Sequence, residues 1–149
     1  MSISARTVTL RCTQAFVKWS PSDSLYGARK LAERWSRTRD ASRNVHLVPA
    51  PGGARQAQTK LASMRLLVLL DLLGHRGAKV TWHFDNTRPL FSRLRAVEKL
   101  LRGNGLLVGN AGEDYLFETP VRGRGRGRIS DDHIPFLQRN VPVLHLIAR

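Results

Sequence analysis

Acidic and histidine side chains lie within or beside the most apolar stretches of the sequence, where they could take part in chemistry. Asp71 lies inside the apolar run LLVLLDLLG (66–74), where a carboxylate loses hydration and needs hydrogen-bond donors or cations nearby. Asp131 and His133 lie in the stretch SDDHIPFL. His145 lies in the last apolar segment, VPVLHLIA, so we expect it to be buried and paired with a carboxylate rather than bound to a metal.

Structural roles are the alternatives for the same side chains. Asp71 could accept hydrogen bonds from the glycine turn that follows it, and Asp131 or Asp132 could cap a short helix. Trp19 is either a core residue or the flat wall of a ligand pocket. Cys12 is the single cysteine, so neither an internal disulfide nor a thiolate metal cluster can form, and we interpret it as a small, partly buried apolar residue.

The apolar patterning predicts strands and helices in alternation. The predicted strands lie at 7–11, from Leu66, at 115–118 and at 141–148, and the predicted helices begin at Asp23 or Ser24, at Asn86 or Thr87 and at Asp131 or Asp132. The order β-α-β-α-β-α-β indicates an α/β fold with an open, mostly parallel sheet and helices on both faces. Such sheets bind ligands at the carboxyl ends of their strands, where residues 12–19, Asp71 and residues 131–133 would converge.

The second predicted helix has the clearest pattern, because Pro89 suits its first turn and Gly103 ends it. Five residues are expected to form its apolar face: Leu90, Phe91, Leu94, Val97 and Leu101.

Size and charge limit the class of protein. A chain of 149 residues with 42% apolar residues can form one domain with a core. The net charge of +14 and the tract RGRGRGR (122–128) indicate weak, salt-dependent attraction to nucleic acid, and a nucleic-acid-associating module is the alternative function. The tract could equally be a solvated flexible loop. Residues 1–20 contain no apolar core of a signal peptide, and the run at 66–74 is too short to span a membrane.

Three stretches together resemble animal glutaminyl cyclases, the glutaminyl-peptide cyclotransferases related in fold to zinc aminopeptidases. They are FVKWSPSDSLYGARKLA (16–32), LLVLLDLLG (66–74) and DDHIPFLQRNVPVLHLIA (131–148), and the likeness runs with gaps from about Gln14 to Ala148. The resemblance implies an α/β domain with one zinc ion at the carboxyl ends of its strands. It also implies a reaction, the cyclisation of an N-terminal glutamine to pyroglutamate with release of ammonia, and a secreted or Golgi-resident protein.

Site roles follow from the same resemblance. It makes Trp19 the wall of the substrate pocket and Asp71 the acid that helps bind the substrate amine and partners the catalytic glutamate. Asp131 matches a second acid of that hydrogen-bond network, and His145 matches a buried histidine beside it. The expected substrates are peptides or proteins with an N-terminal glutamine.

The zinc ligands of the family are not matched. Thr13 and Gln14 stand where the family has a proton-shuttling glutamate and a glutamate that binds zinc. The family's aspartate ligand has no counterpart, and its histidine ligand would follow Arg149. We therefore expect residues 1–149 to be a single partial domain, truncated or degenerate, that lacks the amino-terminal part and the carboxyl-terminal end of the family domain. We also expect it to hold no stoichiometric zinc and to be impaired or inactive alone.

Overall fold

The computed structural model describes residues 15–40, 48–49, 55–56, 59–75, 77–107, 115–118 and 129–148. The predicted strand at 7–11, the residues Cys12, Thr13 and Gln14, and the tract 122–128 lie outside these ranges. The helices are α1 (Tyr26–Arg37), α2 (Arg88–Gly103) and α3 (Ile134–Leu137), and a 3-10 turn (Asp85–Thr87) leads into α2. The strands are β1 (Val48–Pro49), β2 (Arg55–Gln56), β3 (Leu67–Asp71) and β4 (Val143–Ile147). Among the helices described, none is long and apolar enough to cross a membrane.

Strands β3 and β4 form the central parallel pair, and β1 and β2 form a separate antiparallel pair. In the parallel pair, Leu69 is in register with His145 and Asp71 with Ile147. Alternate residues of a strand point to the same face of a sheet, so Asp71 and His145 lie on one face. The predicted strand at 115–118 is instead a single parallel bridge between Val80 and Phe117.

Helices cover both faces of the β3–β4 pair. On the face that carries Leu67, Ala28 and Ala32 of α1 pack in one apolar cluster with Phe136 of α3. On the opposite face, Phe91 of α2 packs in a second cluster, whose strand residues are Leu144 and Leu146. The expected α/β class with parallel strands and helices on both faces is thus confirmed.

The amino-terminal end of α1 differs from the prediction that Asp23 or Ser24 caps it. The N-cap residue is Leu25, in a left-handed conformation (φ 58°) and without a side-chain cap. The Asp23 carboxylate instead accepts hydrogen bonds from the backbone N–H groups of residues 16, 17 and 18, at 2.8–2.9 Å. These donors hold the pKa of Asp23 well below its usual range. Asp23 therefore fixes the loop that contains Trp19. It contacts the first turn of the helix through the hydroxyl of Tyr26, which donates to the carboxylate (2.9 Å).

Helix α2 also departs from its pattern at two positions. Thr87 is the N-cap residue, but its hydroxyl donates to the carbonyl of Val143 (2.7 Å) and thereby ties the start of α2 to β4. Val97, expected on the apolar face, is 51% exposed, and its neighbour Glu98 is buried. The Glu98 carboxylate accepts hydrogen bonds from the Arg102 guanidinium and from the backbone N–H groups of residues 116 and 117. A carboxylate takes the inward position there because these donors require an acceptor.

Candidate active site

Asp131 and His145 form the centre of the site. His145 lies in the middle of β4 and is 2% exposed, whereas Asp131 lies in the turn before α3 and is partly buried. Oδ2 of Asp131 is 3.2 Å from Nε2 of His145. The two atoms are thus close, although neither has a well-directed hydrogen-bond partner within the described part of the chain. The other oxygen, Oδ1, accepts the backbone N–H of Asp132 (2.7 Å).

The environment of Asp131 favours its charged form. Burial raises the pKa of a carboxyl group, but the contact with His145 and the hydrogen bond from Asp132 lower it more, so the pKa of Asp131 lies below its usual value. Asp131 is therefore an ionised acceptor at neutral pH.

His133 is a third member of the site, for which the sequence pattern predicted no role of its own. It precedes α3, is 2% exposed, and its ring centroid is 4.6 Å from that of His145 and 5.5 Å from that of Phe84. Burial lowers the pKa of His133 to about 4, with a further contribution from His145, while Asp131 opposes the shift. The imidazole is neutral at pH 7. Its place two residues after Asp131, at the start of the same short helix, is the signal that could have drawn attention to it.

Asp71 and Trp19 lie nearer to solvent. Asp71, at the carboxyl end of β3, is half-buried rather than buried, and it shares the sheet face of His145. Trp19 is 42% exposed in the loop held by Asp23. The structure thus brings Asp131 and His145 into contact, places Asp71 on the same face, and leaves the indole of Trp19 at the surface.

The same region contains a possible set of metal ligands. Asp131, His133 and His145 each offer one donor atom, and these atoms all lie within 4.8 Å of one another. Two imidazoles and a carboxylate are a ligand set that zinc accepts. This set differs from the family positions at Thr13 and Gln14.

Comparison with known proteins gives a consistent result. The chain is 46% identical over 135 residues to the glutaminyl-peptide cyclotransferase of Bos taurus. The matched region covers 91% of this chain and 34% of that protein. It is 44% identical over 134 residues to the protein of the same name from Boiga dendrophila, covering 90% of this chain and 33% of the relative. No family model matches the chain.

A solved structure shows the same likeness in three dimensions. The glutaminyl cyclase of Macrostomum lignano superposes with a TM-score of 0.71 and 39% sequence identity, over 92% of this chain and 40% of that one. The chain thus spans about a third of the length of the curated relatives that it matches. On this evidence of sequence and fold, the chain belongs to the glutaminyl-peptide cyclotransferase family and corresponds to about a third of the length of these members.

Proposed function

We propose that this chain provides the acid–imidazole part of a glutaminyl cyclase site. In the reaction, the N-terminal amine of a peptide attacks the side-chain amide carbon of its own glutamine, the new C–N bond closes the ring, and ammonia leaves. The observation that carries the proposal is the 3.2 Å contact between Asp131 and His145, with Asp71 on the same sheet face. The family match favours this function over the nucleic-acid alternative.

Each residue has a role that follows from its position. Asp71 is partly open to solvent at the end of β3, so its carboxylate can accept the N–H groups of the substrate amine. Asp131, whose pKa lies below its usual value, stays anionic and completes the acid network. His145 is buried in β4, and its contact with Asp131 orients the carboxylate. Trp19 gives a flat apolar wall against which the glutamine side chain packs.

These groups bind and orient the substrate, and orientation alone is a substantial part of such an intramolecular reaction. A base that carries the proton from the amine to the leaving ammonia is a separate requirement. Thr13 does not fit the role of this base, because a threonine hydroxyl does not titrate near neutral pH. Gln14 does not fit the family's zinc, because a neutral amide oxygen is a poor zinc ligand. We therefore derive no step through a metal at those positions, and expect little turnover from these residues alone.

We infer further that residues 1–149 are part of a single domain. The two apolar clusters pack on opposite faces of the same pair of strands, β3 and β4. They therefore share one sheet, as the layers of a single α/β domain do.

The proposal is tested with a chimera in which this chain replaces the third of the Bos taurus relative that it matches. We expect the chimera to convert a Gln-peptide to its pyroglutamyl form weakly or not at all. The double substitution Thr13→Glu and Gln14→Glu should raise the rate by roughly a hundredfold or more, because it supplies a general base and a carboxylate ligand. Ammonia release and the mass of the product are the measurements.

The intact Bos taurus relative is the positive control, and circular dichroism establishes that each chimera is folded. A folded double variant without activity would contradict the proposed function. Equal rates with and without the two glutamates would contradict the assignment of positions 13 and 14.

A further inference from the structure

The outer side of α2 exposes aliphatic side chains that take no part in the core. Leu90, Phe91 and Leu94 pack in the apolar cluster against β4. Val97 and Leu100 lie outside that cluster and are 51% and 64% exposed.

The turn that follows α2 adds two leucines to this side of the helix. Gly105 has a left-handed conformation (φ 67°), and the backbone N–H of Leu106 donates to the carbonyl of Leu101 (2.9 Å). The chain therefore folds back on the last turn of the helix, as in a Schellman motif. Leu106 and Leu107 are 68% and 38% exposed there.

Exposed cations lie beside these aliphatic residues. Arg93 is four and seven residues before the two exposed aliphatic residues of the helix, so it shares their strip of the helix surface. Arg95 and Lys99, four residues apart, form a second exposed strip. Glu98 is the only acid in residues 88–107, and it is buried. The three cations and the four aliphatic side chains together form one surface, the α2 surface, that is both cationic and aliphatic.

This combination fits an anionic membrane. At such a membrane, aliphatic side chains enter the boundary between headgroups and acyl chains, while Lys and Arg side chains bind the anionic headgroups. The net charge of +14 adds attraction to the membrane and opposes docking of a second copy of the chain. Single-stranded nucleic acid is bound through aromatic side chains that stack on bases, whereas the exposed apolar residues of this surface are aliphatic. We propose that the α2 surface binds membranes that contain anionic phospholipids.

The α2 surface and the candidate active site lie on opposite sides of the sheet. Helix α2 covers the face that carries Leu144 and Leu146, whereas Asp71 and His145 lie on the other face. A membrane bound to α2 therefore leaves the candidate active site uncovered. Loss of membrane binding and loss of turnover report on different residues.

Flotation of this chain with lipid vesicles tests the α2 surface without an activity assay. We expect the chain to float with vesicles of phosphatidylcholine and phosphatidylserine, and not with vesicles of phosphatidylcholine alone. Arg95→Gln together with Lys99→Gln should weaken binding by roughly twentyfold, because each cation near an anionic membrane contributes about fivefold. Leu100→Gln together with Leu106→Gln should weaken it by roughly tenfold, because two aliphatic side chains no longer enter the membrane.

The matched control is Lys30→Gln together with Arg37→Gln on α1, on the opposite side of the sheet. It removes the same charge from exposed positions and should change binding by less than about threefold. Circular dichroism establishes that each variant is folded. A control that weakened binding as much as the α2 charge variant would assign the attraction to net charge and overturn the proposal. Unchanged binding by the folded leucine variant would also overturn it.

The chimera with the Bos taurus relative shows whether the rest of the domain leaves the α2 surface free. We expect the chimera to float with the same vesicles, and a folded chimera that does not float would contradict the proposal. Displacement of the chain from vesicles by RNA at equal phosphate concentration would assign the surface to nucleic acid instead. The unmodified chain keeps the test decisive even if a variant does not fold, since failure of that chain to float with anionic vesicles would overturn the proposal directly.

Discussion

Asp131→Asn should lower kcat by roughly a hundredfold or more in the chimera that carries Thr13→Glu and Gln14→Glu. Asparagine has nearly the shape of aspartate and can still accept the backbone N–H of Asp132, so the turn before α3 should be kept. What is lost is the negative charge beside His145. Steady-state kinetics of ammonia release on a Gln-peptide measure the effect, and KM should change less than kcat because Asp71 is assigned to the amine.

Glu33→Gln in the same chimera is the matched control for the loss of a carboxylate. Glu33 lies on α1 and forms exposed ion pairs with Lys30 and Arg37, so its neutralisation should leave kcat unchanged. If a folded Asp131→Asn protein had the same kcat as the Glu33→Gln control, the assignment of Asp131 to the acid network would be contradicted.

Glu98→Ala should lower the free energy of unfolding of the chain by about 3–5 kcal/mol. The carboxylate is 6% exposed and forms a salt bridge of 3.0 Å with Arg102. It also accepts the backbone N–H groups of Leu116 (2.7 Å) and Phe117 (3.0 Å), which tie residues 115–118 to α2. Its removal ends the salt bridge with Arg102 and takes the acceptor from two backbone donors. Urea unfolding followed by circular dichroism gives the difference.

Glu33→Ala is the control for this second prediction. It removes a glutamate of similar helical context whose ion pairs are exposed, so it should cost only about 0–1 kcal/mol. Similar small losses for both variants would mean that Glu98 does not anchor the segment at 115–118.

Elements with long apolar patterns could be predicted from the sequence. The pattern with Pro89 and Gly103 predicted a helix that the structure has at Arg88–Gly103. The apolar runs around Asp71 and His145 predicted the two strands that pair in the sheet. In each case the burial of many apolar side chains determines the local structure. These side chains therefore recur in the sequence with the spacing of that structure.

Polar side chains with distant partners could not be predicted in this way. Thr87 donates to a carbonyl 56 positions away, and Glu98 accepts a backbone N–H 18 positions away. Asp23 was predicted to cap α1, but it binds the backbone of the preceding loop. Helical periodicity assigns a carboxylate to the outer face and gives no information on donors brought in from another segment.

The candidate site was predicted in part. The apolar surroundings of His145 indicated burial and a carboxylate partner, and the structure places Asp131 at 3.2 Å from it. The residue pattern alone could not choose between Asp71 and Asp131 as that partner, because the choice depends on the register of β3 with β4 and on the turn before α3. The resemblance to glutaminyl cyclases implied Asp131. His133 was named in its stretch but given no role, since the acids beside it already explained the stretch as a helix cap.

The most direct test of the Asp131–His145 contact is a double-mutant cycle in the chimera that carries the two glutamates. Values of kcat are measured for Asp131→Asn, for His145→Gln and for the double variant, each shown to be folded. If the two residues act as one unit, the double variant loses no more activity than the more damaging single variant. If the two losses instead multiply, the residues act independently, and the proposed acid–imidazole site is contradicted.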